Sequence, residues 1–160
     1  MTTGPKITPC LWFDFNAEEA VNHYMGIFRN SRILEVSRYG DAMPALKGKV
    51  LTMRFDLDGR EFRALNGGPR FPFTEAISLS VDCVDQAEVD ELWSRLSEGG
   101  SESQCGWLKD KFGLSWQILP RALVTLLNDP DQEKATRVMQ AMLTMGKIDV
   151  ARLQQAYDGR

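Results

Sequence analysis

CGWLKDKFGLSWQILP (Cys105–Pro120) decides how the chain is read, because it is rich in reactive side chains and also patterned as two strands about a turn. Leu114, Trp116 and Ile118 alternate with Ser115, Gln117 and Leu119, the period of a strand that buries one face. An extended segment leads into Gly113, which supplies the turn, so the stretch predicts a β-hairpin. DLDGREFRAL (Asp56–Leu65) repeats the outline: Asp56 and Asp110, Gly59 and Gly113, and Leu65 and Leu119 all stand 54 residues apart.

Upstream of each hairpin lies a strand that runs into a helix. Ile7–Phe15 reads as an apolar strand, followed by Asn16 as helix cap and Glu19 as its capping-box partner, with Ala17, Val21, Tyr24 and Phe28 on one helical face. Ile77–Val84 repeats this, with Asp85 as cap, Glu88 as box partner and Val89, Leu92, Trp93 and Leu96 as the stripe. Asn16 and Asp85, Glu19 and Glu88, and Tyr24 and Trp93 share an offset of 69 residues. Common offsets across caps, stripes and turns predict a duplicated βαβββ unit. The shorter hairpin offset places an insertion in the first copy, at the loop Tyr39–Gly48, while the third element of the second copy, near Ser101–Gln104, is weakly marked.

The fold class expected is therefore α+β: residues 1–120 as one domain, with modules at about 5–66 and 75–120, and a helical tail over 121–160. Asn66–Pro72 is the turn-rich link between modules. In the tail, Asp129, Pro130 and Gln132 read as cap, first-turn proline and box partner. Val138, Met142 and Met145 form a stripe ended by Gly146, and Asp149–Tyr157 reads as one more short helix. Met139, Met142 and Met145 are read as packing residues.

A net charge of −3 gives no broad basic footprint for nucleic acid or anionic membrane, so neither is expected as a partner. No apolar run approaches membrane-spanning length, and no basic and apolar leader precedes the first strand. Cys10, Cys83 and Cys105 are odd in number and lack CxxC spacing, which suggests neither a disulfide framework nor a thiolate zinc site; a cytoplasmic protein is expected.

The strands also assign faces. Ile77, Leu79 and Val81 belong against the helix, which leaves Ala76, Ser78 and Ser80 on a surface of small and polar groups with room for a ligand. Ser115, Gln117 and Leu119 share that surface, and by the 54-residue offset Arg63 is the counterpart of Gln117.

Taken together, the paired modules, SVDCVDQAEVDELW (Ser80–Trp93) and CGWLKDKFGLSWQILP resemble the PhnB-like branch of the vicinal oxygen chelate superfamily, the glyoxalase and bleomycin-resistance fold. NGGPRF (Asn66–Phe71) and GKIDVARLQQA (Gly146–Ala156) extend the resemblance over nearly the whole chain. Members of this branch often carry the label 3-demethylubiquinone-9 3-methyltransferase.

The resemblance implies half-open barrels in which metal-dependent members hold a divalent ion with His, Glu or Gln from the first and last strands of both modules. The matching positions are Gln117 and Arg63 in the last strands, and positions on or beside Ile7 and Ala76 in the first strands. Ile, Arg and Ala cannot ligate a hard cation, and the sole histidine, His23, falls inside the first helix. No metal and no cofactor are therefore expected. The glycine-rich turn of a doubly wound nucleotide-binding fold is not evident either, because Asn66–Pro69 is followed by Pro72 rather than a helix.

The expectation is a small-molecule-binding protein whose inter-strand cavity takes a polar or anionic ligand against Arg63, Gln117, Asn66, Ser78 and Ser80. The resemblance further implies a homodimer, with exchanged segments as a variant. The alternatives are a metal-dependent lyase, isomerase or dioxygenase, or the transferase of the family label. For Arg63 the competing role is to reach solvent, or to form an ion pair with Glu61 or Asp56. Cys105 reads as a packing thiol, or as a nucleophile with Lys109 four residues on along one strand face. Asp110 and Lys111 read as turn or surface ion-pair residues, and Trp107 and Trp116 as packing or cavity wall.

Overall fold

A computed structural model describes residues 4–160, which divide into two compact units, the first ending at Pro72 and the second Phe73–Arg160. The first contains β1 (Cys10–Phe13), α1 (Ala17–Ile27), β2 (Ser31–Arg38), β3 (Val50–Leu57) and β4 (Arg60–Asn66). Its sheet runs β1-β4-β3-β2, with β1 parallel to β4 and the other neighbours antiparallel. From α1, Ala17, Ala20, Val21 and Tyr24 are fully buried, as are or nearly are Phe13, Met53, Phe55, Phe62 and Ala64 on the sheet.

Asn16 stands at the start of α1 but makes no side-chain cap bond, contrary to the sequence expectation. The cap comes instead from Asn66 at the far end of β4. Its Oδ1 accepts from the Ala17 backbone N–H (2.9 Å), while its Nδ2 donates to Glu18 Oε1 (2.8 Å) and to the Val50 carbonyl (3.0 Å). A tertiary amide thus satisfies an orphan donor that a local residue usually satisfies. Asn66 is 3% exposed on the helix side of the sheet, so its assignment as a ligand-binding residue is corrected: its polar atoms are committed to structure.

Between β3 and β4, Asp58 (φ 48°) and Gly59 (φ 80°) make a two-residue loop with both φ values positive, the arrangement that matches strand twist in a tight hairpin. The expected insertion after Tyr39 folds back on the unit: Tyr39 Oη donates to the Asn66 carbonyl (2.5 Å), and the Tyr39 N–H donates to the Lys49 carbonyl (2.9 Å).

The second unit repeats the order with β5 (Ser78–Cys83), α2 (Gln86–Ser97), β6 (Ser101–Glu102), β7 (Trp107–Lys109) and β8 (Ser115–Pro120), in a sheet β5-β8-β7-β6. Here the local cap forms as expected, with Asp85 Oδ1 accepting from the Glu88 N–H (2.9 Å). Glu88 returns its carboxylate to the Val84 N–H (2.6 Å), one residue earlier than a capping box requires. Val89, Leu92, Trp93 and Leu96 are buried, and the weakly marked third element is a strand of only two residues.

Asp110 closes the second hairpin, and it is buried rather than exposed. At 2% exposure, its Oδ1 accepts from the Phe112 (2.9 Å) and Leu114 (3.0 Å) N–H groups, and its Oδ2 accepts from Trp116 Nε1 (2.9 Å). Trp116 itself is buried, 2% exposed. The aligned residue of the first unit, Asp56, lies on a strand and meets Arg32, so the repeated aspartate serves two different ends.

The tail contains α3 (Arg121–Leu127), α4 (Gln132–Met142) and α5 (Val150–Asp158) around Leu123, Val138, Met145, Ile148 and Leu153. Asp131, not Asp129, caps α4 by accepting from the Glu133 and Lys134 N–H groups, while Asp129 accepts from the Asp131 N–H and from Tyr157 Oη. The helix ends at Met142, ahead of Gly146. Met145 is buried and Met142 packs beside it, but Met139 is 41% exposed and falls outside the packed set.

Backbone bonds fix the tail to its unit. The Cys105 and Gly106 N–H groups donate to the carbonyls of Met145 and Gly146 (both 2.8 Å), and Gln86 accepts from the Val150 N–H (2.7 Å) while donating to the Ile148 carbonyl (3.0 Å). Gly106 (φ 83°) is needed at this junction, since a Cβ there would stand 2.9 Å from Leu119 Cδ2 and 3.0 Å from the Ile118 carbonyl.

Two substitutions test these anchors. Asn66→Ala leaves a helix N–H and a strand carbonyl without partners and should cost about 3 kcal/mol in urea unfolding. Asp110→Ala removes three bonds to a buried carboxylate and should cost about 3–5 kcal/mol, with loss of the Trp116 near-ultraviolet signal. A change below about 1 kcal/mol in either variant contradicts the role given to that residue.

Candidate functional site

Each sheet has a helix on one face and a second face turned away from that helix, called the open face below. In the first unit strand register brings Cys10 and Trp12 of β1, Glu61, Arg63 and Leu65 of β4, and Thr52, Arg54 and Asp56 of β3 onto that open face. Cys10 lies directly opposite Arg63 on one side and Arg54 opposite it on the other. Trp12 donates from Nε1 to the Gly68 carbonyl (2.8 Å) and meets Phe71 edge-on at 4.9 Å between ring centroids. Gly67 passes so close beneath it that a Cβ would sit 2.3 Å from the indole.

The charges on this face are mostly matched. Arg54 donates from Nε to Glu61 (2.8 Å) and from Nη1 to Glu35 (2.9 Å), and Arg32 Nε donates to Asp56 (3.2 Å). The Arg54 hydrogen bond holds the Glu61 carboxyl below the usual range, with a smaller contribution from Arg63. Both acids considered as partners for Arg63 are therefore engaged elsewhere. Arg63 is exposed, and no hydrogen bond or ion pair reaches its guanidinium among the described residues. Burial raises the Cys10 thiol pKa, and the Arg63 charge opposes that rise.

On the face of the second sheet away from α2 stand Ser78 and Ser80 of β5, Ser115, Gln117 and Leu119 of β8, and Trp107 and Lys109 of β7, with Leu119 packed against the tail core. Gln117 Nε2 donates to Ser78 Oγ (2.9 Å), with Ser80 directly opposite Gln117 on one side and Trp107 on the other. Ser115 is 1% exposed, and its hydroxyl has no hydrogen-bond partner among the described residues. Lys109 is ion-paired with Glu75, whose carboxyl pKa is lowered by that hydrogen bond.

Arg63, Gln117, Ser78 and Ser80 thus lie on open faces, and Asn66 does not. The first-strand positions also change. Cys10 and Ser80 face Arg63 and Gln117, whereas Ile7 (86% exposed) and Ala76 precede their strands. The strands correspond at an offset of 70 residues and the helices at 69, and Phe15, in a left-handed conformation (φ 57°), lies where the extra residue is absorbed. Leu79 and Val81 pair with Trp116 and Ile118 on the helix side, but Ile77 stands outside the strand, 70% exposed. Cys105 precedes β7 with φ 58°, so the strand spacing that would align it with Lys109 does not exist. Sequence reasoning missed Cys10 and Trp12, whose placement depends on the parallel register of β1 with β4.

These positions do not fit a divalent metal. A guanidinium has no lone pair to donate, and a thiol, a serine hydroxyl and an amide are a poor set for a hard cation. Among the described residues, no group of three or more His, Cys, Asp or Glu is placed to hold a metal, and His23 lies on α1 beside Tyr24.

Two βαβββ units, each with sheet order first-fourth-third-second and one open polar face, define the class as the vicinal oxygen chelate superfamily, with the glyoxalase and bleomycin-resistance fold. A family model described as 3-demethylubiquinone-9 3-methyltransferase matches residues 5–119. A Bacillus cereus protein described as a putative 3-demethylubiquinone-9 3-methyltransferase, PhnB protein, is 36% identical over 72% of this chain and 99% of its own, with a TM-score of 0.66. The chain belongs to this PhnB-like 3-demethylubiquinone-9 3-methyltransferase family.

Two more distant structures share the fold. Protein PA1353 from Pseudomonas aeruginosa is 24% identical over 73% of this chain and 98% of its own, with a TM-score of 0.61. The fosfomycin resistance protein FosX from Mesorhizobium loti is 13% identical over 72% and 90%, with a TM-score of 0.50. Among proteins with curated functions, none matches the chain significantly.

Thiol labelling tests the electrostatics. Burial, with the charges of Glu88, Asp82 and Asp85, pushes the Cys83 thiol pKa up to about 12, so at pH 8 Cys83 should stay unlabelled until the protein unfolds. Cys10 should label in the native state, and Arg63→Ala should slow that labelling because the charge favouring the thiolate is gone. An unchanged Cys10 rate contradicts the pairing with Arg63.

Proposed function

We propose that this PhnB-like protein binds a small anionic or polar molecule on its open sheet faces, without a metal or cofactor, with Arg63 supplying the charge. The observation that carries this reading is the unmatched guanidinium on a face whose other arginines are paired. Such a group binds a carboxylate or phosphonate through two parallel hydrogen bonds, at little cost in rearrangement. On the second unit Gln117, Ser78 and Ser80 offer neutral donors and acceptors, suited to a ligand's hydroxyl or amide groups.

Binding without turnover suits the side chains better than either enzymatic alternative. Cys10 has a raised thiol pKa, and its neighbour in register is a guanidinium rather than a base. For methyl transfer, the Gly67-Gly68 pair leads through an irregular link to β5, not onto a helix in a parallel sheet. No described helix is long and apolar enough to cross a membrane. The free cysteines suit the cytoplasm. A homodimer belongs to the same reading: Ile33, Leu34 and Val36 are 36–42% exposed along edge strand β2, a surface that a second copy can cover.

Isothermal titration with a panel of small carboxylates and phosphonates should give at least one ligand whose affinity falls tenfold or more in Arg63→Ala and several-fold in Gln117→Ala. Unchanged affinity in Arg63→Ala overturns the assignment of the charge. One tightly held divalent ion per chain in the purified protein overturns the metal-free reading.

A further inference from the structure

A concavity opens at the end of the first unit, where the α1–β2 connection meets the β3–β4 turn, on the side of Asp56 away from Arg63 along the strands. It has a volume of about 380 Å³ and is lined by Arg29, Asn30, Ser31, Arg32, Asp56 and Gly59. That is enough room for a small metabolite. Its walls are held in place: Ser31 and Arg32 pair in register with Leu57 and Asp56, and Ser31 Oγ accepts from the Asp58 N–H (3.2 Å). Gly59, at φ 80°, presents a bare Cα toward Asn30; a Cβ there would lie 3.7 Å from Asn30 Nδ2.

The chemistry of the lining is specific. Arg32 spends only its Nε on Asp56, at 3.2 Å, which leaves both terminal nitrogens free of any other hydrogen bond among the described residues. Arg29 and the Asn30 amide likewise have no hydrogen-bond partner among the described residues. Two guanidiniums against one carboxylate leave the cleft with an excess of one positive charge. Its carboxylate can in turn accept from a hydroxyl or ammonium group on the ligand. The C-terminal end of α1, at Ile27, disfavours an anion in this vicinity, but a partial charge of about half a unit is outweighed by two full charges.

We propose that this cleft is an anion site for a small oxyanion-bearing metabolite, with a phosphate or carboxylate held by Arg29 and Arg32, a ligand hydroxyl on Asp56, and the Asn30 amide as a further donor. The site lies outside the reading given for Arg63 and stands or falls independently of it.

The test uses the full chain, labelled with nitrogen-15, titrated with inorganic phosphate and then with glycerol 3-phosphate. Saturable shifts are expected at the amides of Ser31, Arg32, Asp58 and Gly59, and glycerol 3-phosphate should bind more tightly than phosphate through Asp56. Arg29→Gln combined with Arg32→Gln should weaken binding at least tenfold, while Arg63→Ala leaves these shifts unchanged. Arg29→Gln alone, which touches no ion pair, should weaken binding severalfold and guards against an effect of unfolding. Shifts that rise linearly without saturation, or affinities unchanged in the double variant, overturn the site.

Discussion

The first unit depends on one buried side-chain amide. Asn66 ends β4, yet it caps α1, holds the Val50 carbonyl of β3 and orients Glu18. These three bonds use its acceptor and both of its donors, so the amide has no capacity left for a ligand. The consequence reaches the open face. Once Asn66 is turned to the helix side, period-two alternation turns Leu65 outward, Ala64 inward and Arg63 outward again. A helix cap therefore fixes the phase that presents a guanidinium to the open face.

Electrostatics then select which guanidinium matters. Exposed ion pairs contribute little stability individually, and the pairs on this sheet are mostly half exposed. Their effect on recognition is larger, because they remove competing carboxylates from Arg63. Arg54 takes Glu35 and Glu61 together and Arg32 takes Asp56, so neither acid is hydrogen-bonded to Arg63, although Glu61 still feels its charge. The second unit has no counterpart to this charge. At the equivalent position Gln117 is neutral and already donates to Ser78, which makes that face a hydrogen-bonding surface rather than an ionic one.

Much of this was legible in the sequence, for identifiable reasons. Duplication shows in caps, stripes and turns, all local patterns, and the two sheets share one strand order. Arg63 and Gln117 were placed correctly on outward faces because alternation is also local. What failed was nonlocal. A cap can come from a residue 49 positions away, as Asn66 does for Ala17, and nothing near Asn16 reveals it. The register of a parallel pair is set by the whole sheet, so Cys10 and not Ile7 faces Arg63, and Ser80 and not Ala76 faces Gln117. Asp110 read as a turn residue, which it is, but its burial depends on Trp116 folding back to donate to it.

The family label and the fold point to different chemistries, and the side chains at the strand positions bear on both. A metal-dependent member of this superfamily needs donors on first and last strands; here those positions hold Cys10, Arg63, Ser80 and Gln117. Arg63 is the decisive departure. A guanidinium cannot ligate a cation, and its positive charge would repel one placed on the same face. It can instead bind the carboxylate or phosphonate of a ligand directly, the kind of oxyanion a metal at this place would coordinate. Substitution of a fixed side-chain cation for a metal keeps the attraction for anions while discarding Lewis acidity and metal-bound water. On that argument the face of the first sheet that carries Arg63 is suited to holding an oxyanion by a fixed charge, and this is the physical basis of the binding role proposed above.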